Sequence, residues 1–154
     1  MYDLLLSALA LGNIILSSAI IIVSFSLFLY LATNNFRNSV ARSFSALLAF
    51  LTIVYVGDVF LQRIAGESFV DAVIWLKFKW IGIAFIPAIY MHFSDALLRS
   101  TNAYSRRRRV AVVLSYLASG TILLLVATTN LIVRDGFFFP QAAQFAAGPL
   151  FPLF

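Results

Sequence analysis

Cysteine is absent, histidine occurs once, at His92, and only 11% of the residues carry charge. Without cysteine there is no disulfide, no thiolate nucleophile, no thiolate-bound zinc and no iron–sulfur cluster. With one histidine, a single copy cannot build a bis-histidine haem or a multi-histidine metal site. No cofactor and no metal are expected. A nucleophile–base arrangement, a glycine-rich phosphate loop and a metal-ligand cluster are also missing, which argues against an enzyme and leaves no catalytic residue to name. The shortage of charge sets the class. Soluble domains carry about 25% charged residues. Here hydrophobic residues reach 62%, phenylalanine alone numbers 16, and mean hydropathy is +0.98. Such a chain cannot cover its surface in water, so it reads as an integral membrane protein.

What is present is a series of long apolar runs. A membrane crossing takes about 20 apolar residues. Spans are expected at about 4–32, 43–61, 73–98 and 110–133. The fold class is therefore all-α and integral to the membrane, with about four transmembrane helices in antiparallel hairpins forming a single domain over residues 1–154. The first run lacks a basic leader and begins after Asp3, so it does not read as a cleavable signal peptide. Residues 134–154 hold Pro140, Gly148, Pro149 and Pro152, which suit an outer-face loop and the start of a further, fifth helix. Span four carries small residues at Ala111, Ser115 and Ser119, a stripe that suits close helix approach.

The net charge of +5 is concentrated at span ends. Arg37, Arg42, Arg99 and the run Arg106, Arg107, Arg108 and Arg109 fall on one side, seven positive charges in all. Arg63, Lys77, Lys79 and Arg134 fall on the other, among Asp3, Glu67, Asp71 and Asp135. The positive-inside rule then places the N-terminus outside and both arginine-rich loops inside, in a cell (inner) membrane. The arginine run is first a topology determinant, with attraction to anionic lipid as a second role. A nucleic-acid partner is not expected. Trp75, Trp80, Tyr2, Tyr30, Tyr55 and Tyr104 fall mostly near span ends, as an aromatic belt does.

Two constellations stand out. Asp58, near the outer end of span two, lies at a depth similar to Lys77 and Lys79 at the start of span three. An unpaired aspartate at the centre of a membrane helix costs about 2.5–3.5 kcal/mol, so pairing to either lysine is expected. With Trp75 and Trp80 the group could line a ligand or ion pocket. The plainer reading, favoured by the behaviour of buried pairs, is a structural ion pair that fixes two helices in register. The second constellation is the stretch "IPAIYMHFSDALLR". His92 and Asp95 share a helix face at a spacing of three, which suggests a proton relay. Asp95 is also four residues from Arg99, however, and from Trp80 to Met91 the helix has no acid to continue a relay. Structural or interface roles are therefore expected for Pro87, His92, Asp95 and Arg99.

The third span, "WLKFKWIGIAFIPAIYMHFSDALL", resembles the middle of the N-terminal seven-helix membrane region of bacterial sensor histidine kinases and diguanylate cyclases. The resemblance rests on Trp75, Lys77, Lys79, Gly82, Ile83, Pro87, His92 and Phe93, with Gly148, Pro149, Leu150 and Phe151 matching the lead-in to a fifth span. It implies a signal-input module, with the N-terminus outside and an output domain inside. The chain holds no phosphoacceptor-histidine motif, ATP-binding loop or cyclase signature, so kinase or cyclase activity would need a further C-terminal domain. The chain thus reads as a fragment or a truncated relative of that region. The leading expectation is a non-enzymatic sensory module for an apolar or small amphipathic ligand, with Asp58, Trp75, Lys77, Lys79 and Trp80 as its site. The alternative is a small structural subunit of a larger membrane complex. A transporter is disfavoured, because no pair of broken helices stands at matched positions. Expected partners are the lipid bilayer, a small apolar ligand, and a second copy of the chain or other membrane subunits.

Overall fold

The computed structural model describes residues 2–64, 69–102, 105–129, 133–139 and 142–147, with side chains over 4–64, 72–102 and 105–129. Four helices carry the fold: α1 (Tyr2–Asn34), α2 (Ser39–Ile64), α3 (Phe69–Ser100) and α4 (Arg106–Thr128). All four are long and apolar enough to cross a membrane. The expected Glu67, Asp71, Asp3 and Asp135 charges, the side chains of Tyr2, Tyr104 and Arg134, and the tail from Gly148 to Phe151 lie outside the described residues.

Local chemistry explains where the helices turn. The Asn38 side chain accepts a hydrogen bond from the Val40 N–H at 2.9 Å, capping the start of α2. Beyond α3, Asn102 adopts φ 60° and its N–H reaches the Arg99 carbonyl at 3.1 Å. Asparagine tolerates that left-handed conformation better than most residues, which makes it a natural helix stop. α4 begins at Arg106, so the arginine run forms its first turn rather than a loop before it. Arginine is a good helix former, and its long stem lets the charge reach the headgroups from within a helix. At 23 residues, α4 is about 35 Å long, enough to span.

The helices pack in chain order, α1 on α2, α2 on α3 and α3 on α4. α3 is the most enclosed, with 39% of its apolar window buried against 11% for α1. Small residues make this possible: Ala72, Ala84, Ala88 and Ala96 on α3 are all nearly inaccessible. Lipid supplies no hydrophobic drive between helices, so close backbone approach and dispersion must hold them. Pro87 lies within α3 without ending it, on an exposed face. On α4 the buried line is Val112, Ser119 and Val126, at heptad spacing. Of the anticipated stripe Ala111–Ser115–Ser119, only Ser119 is buried.

Beyond α4, part of the stretch expected to be an outer-face loop is a two-stranded antiparallel hairpin, β1 (Val133–Phe139) paired with β2 (Ala142–Ala147). Its register shifts between Arg134 and Gly136, as at a bulge. β2 approaches α2 and α3. The hairpin therefore sits at the end of the bundle where α2 finishes and α3 begins.

Candidate functional site

The seam between α2 and α3 is closed by two glycines. A Cβ built on Gly82 would lie 2.3 Å from Val54 Cγ2 and 2.9 Å from the Phe50 carbonyl oxygen. One built on Gly57 would lie 3.0 Å from Lys79 Cβ. A side chain at Gly82 would force the helices apart, and one at Gly57 would crowd Lys79, so glycine at both positions permits the close approach. Gly57 precedes Asp58, and Gly82 follows Lys79 by three residues. The close approach thus brackets the charged pair.

Asp58 pairs with Lys79 rather than Lys77, with Nζ 2.5 Å from Oδ1. Each side chain is about a quarter exposed, so the pair is only partly screened. Lys77 points the other way. Its ammonium donates to the Ala127 carbonyl at 3.4 Å, in the last turn of α4. A cation there complements the negative end of the α4 dipole. Two residues turn a helix by about 200°, so the two lysines face different neighbours. They tie α3 to opposite neighbours.

The tryptophans divide in the same way. Trp75 stacks on Phe60 of α2, with ring centroids 4.3 Å apart and 5° between planes, beside Leu61, Ala72 and Leu76. Trp80 is buried against Val126 of α4, with Ile83, Ile122 and Leu125 around it. The five residues singled out from sequence therefore fall on two seams. Asp58, Trp75 and Lys79 come together between α2 and α3, whereas Lys77 and Trp80 meet α4.

At the other end of α3, Arg99 forms an ion pair with Asp95, which is 4% exposed. His92 does not engage Asp95. Its Nδ1 lies 3.1 Å from the Tyr116 hydroxyl of α4, with the two rings edge to face. Tyr116 had no marker in the sequence, since its partner lies 24 residues away on another helix. Phe85 lies against Tyr116, and Phe93 against Phe44 of α2. Among the described residues no cluster of His, Asp and Glu could hold a metal ion.

The α1–α2 seam differs. Its cross-helix polar contact is Ser24 Oγ to Thr52 Oγ1, at 2.9 Å. Beside it runs an open apolar groove lined by Ala19, Ile20, Val23, Leu27, Leu48 and Leu51. Nothing in that groove marked it in the sequence, because every lining residue is ordinary in a membrane span.

The sequence model of one protein family, the N-terminal 7TM region of histidine kinase, matches residues 14–154. That family is defined by a membrane sensor region and is not itself catalytic. No curated protein and no solved structure matches the chain.

Proposed function

The chain belongs to the family of the N-terminal 7TM region of histidine kinase, and from that premise we propose that it is a signal-input module whose moving part is α3. In this reading the N-terminus faces outward and the arginine-rich ends inward, in a cell (inner) membrane. The charge count supports this orientation, with seven arginines on one side and four basic residues on the other. Two of those four, Lys77 and Lys79, are engaged with neighbouring helices.

The observation that carries the proposal is the pair of opposed ties near the outer end of α3. Lys79 holds Asp58 of α2, and Lys77 holds the carbonyl end of α4. A small apolar or amphipathic ligand, or a change in bilayer thickness, that shifts the balance between these ties displaces α3 as a rigid rod. Its inner end, marked by the Asp95–Arg99 pair, carries the displacement to the far side of the membrane. Asp58, Trp75, Lys77, Lys79 and Trp80 are then the residues that set the resting position. His92 and the Asp95–Arg99 pair brace the far half of the rod, and Pro87 shapes it.

The test uses spin labels on the inner ends, at Val40 of α2 and Leu97 of α3, in thin and thick phosphatidylcholine bilayers. The proposal predicts a change in the label separation that Asp58→Asn reduces. An unchanged separation across the thickness series, with or without Asp58→Asn, contradicts it. That result would favour the alternative of a structural subunit in a larger membrane complex.

A further inference from the structure

Toward the arginine-rich end of the bundle, α3 and α4 are joined by the contact between His92 Nδ1 and the Tyr116 hydroxyl, at 3.1 Å. His92 is half-buried rather than sealed, about two turns from Arg99. Imidazole is the side chain whose charge ordinarily changes between about pH 5 and 8. A neutral ring offers one nitrogen as acceptor and one as donor, so it can accept from the Tyr116 hydroxyl. A protonated ring has two donors and no acceptor. Protonation therefore removes the arrangement in which Tyr116 donates, and it adds a charge that needs a counterion.

One counterion lies within reach. Asp95 is three residues further along α3 and shares the helix face of His92. Its carboxylate is buried and pairs with Arg99, whose side chain is partly exposed at the end of the helix. The other described charges near this point are all positive. Arg108 and Arg109 stand about two turns beyond Tyr116 on α4, and Arg42 is exposed on α2. α2 packs Phe44 against Phe93 here and brings no acid. Among the described side chains the other acid is Asp58, near the opposite end of the bundle. A charged His92 and Arg99 would thus compete for one buried carboxylate. Arg99 is the cation that can leave, because its long stem reaches the headgroups.

We propose that His92 is a proton-operated latch between α3 and α4. Neutral, it holds Tyr116. Protonated, it turns to Asp95 and frees Arg99 to the headgroups, so the tie to α4 opens. The signal is then acidification at the arginine-rich end, a regulation of the α3 rod that rests on the reading of that helix as the moving part. This is a switch rather than a relay. One proton passes from water to the ring and stays there, so no chain of acids along α3 is required.

The single histidine makes the test direct, because isotope-labelled histidine gives one imidazole to follow by magnetic resonance in a lipid bilayer. Its nitrogen signals are recorded from about pH 5 to pH 8. Over the same range, spin labels at Leu97 of α3 and Val110 of α4, both exposed, report the helix separation. In the parent, ring and separation are expected to titrate at one midpoint, with the separation changing by about 1–2 Å, the size of ordinary helix shifts. In His92→Gln the separation is expected to be independent of pH. In Tyr116→Phe it is expected to hold the acid value throughout. A ring that does not titrate in this range, a separation that stays constant while the ring titrates, or a pH response that survives in either variant overturns the proposal. If a variant fails to insert, the parent decides through its two midpoints, which coincide for a latch and contradict it if they lie apart. The response to bilayer thickness at constant pH tests the moving rod separately. An intact thickness response without a pH response refutes the latch alone.

Discussion

The two seams that flank α2 are built in opposite ways. Toward α3, the helix presents Gly57, meets Gly82 against the Phe50 carbonyl, and adds an ion pair and a stacked aromatic pair. Toward α1, it offers the Ser24–Thr52 hydrogen bond and an open apolar groove. The difference shows how a membrane bundle can combine rigidity with movement. Where glycine brings backbones together, dispersion and a partly buried charge pair fix the register. Where branched side chains keep them apart, lipid or a ligand can enter. In this protein α2 and α3 are the closely packed pair, and α1 rests on α2 through a looser contact.

The largest effect should come from filling the tight seam. Gly82→Val forces side-chain carbons into Val54 and the Phe50 carbonyl, and should destabilise by about 3 kcal/mol, the upper range for overpacking. Thermal unfolding in detergent measures the loss. Next comes Asp58→Asn, which leaves Lys79 unpaired. Removing one member of a fully buried pair costs about 3–5 kcal/mol, and the exposure of this pair by about a quarter reduces the expectation to about 2 kcal/mol. A double-mutant cycle with Lys79→Met should show strong coupling, whereas the cycle of Asp58→Asn with Lys77→Met should be additive.

The opposite seam should respond weakly. Ser24→Ala removes the cross-helix hydrogen bond to Thr52 and should cost about 0.6 kcal/mol, the average for such bonds in membrane proteins. The smallest change is expected at Gly12 of α1. A Cβ there meets nothing within 4 Å, so Gly12→Ala should be neutral or slightly stabilising through helix propensity. If Gly12→Ala proved as damaging as Gly82→Val, the contrast between the seams would fail.

Parts of this arrangement were legible in the sequence, and for physical reasons. The spans were visible because lipid demands long apolar runs, and the Asp95–Arg99 pair because helical spacing of four is a local property. Asp58 called for a cation on the next helix, but the sequence could not choose between Lys77 and Lys79. That choice depends on the rotation of α3 about its axis, which Gly57 and Gly82 set by allowing contact on one face only. The grouping of Asp58, Trp75, Lys77, Lys79 and Trp80 did not anticipate that rotation, and the residues divide between two neighbours. The His92–Tyr116 contact and the α1–α2 groove depend on helix–helix register, which leaves no mark in composition. The hairpin at 133–147 lay in a stretch whose prolines and glycines announced only that α4 had ended.

The absence of cysteine allows a direct test, since labels can be placed in the chain without removing native thiols. Arg63 near the end of α2 is exposed, as are Leu9 of α1 and Ile74 of α3. Spin–spin distance distributions from labels at Arg63 and Ile74, and at Arg63 and Leu9, compare the two seams from one shared position in a lipid bilayer. In one bilayer of constant thickness, a close α2–α3 seam beside a looser α1 contact predicts a narrow distribution for the first pair and a broader one for the second. Equal widths, or a broader distribution between α2 and α3, would contradict it.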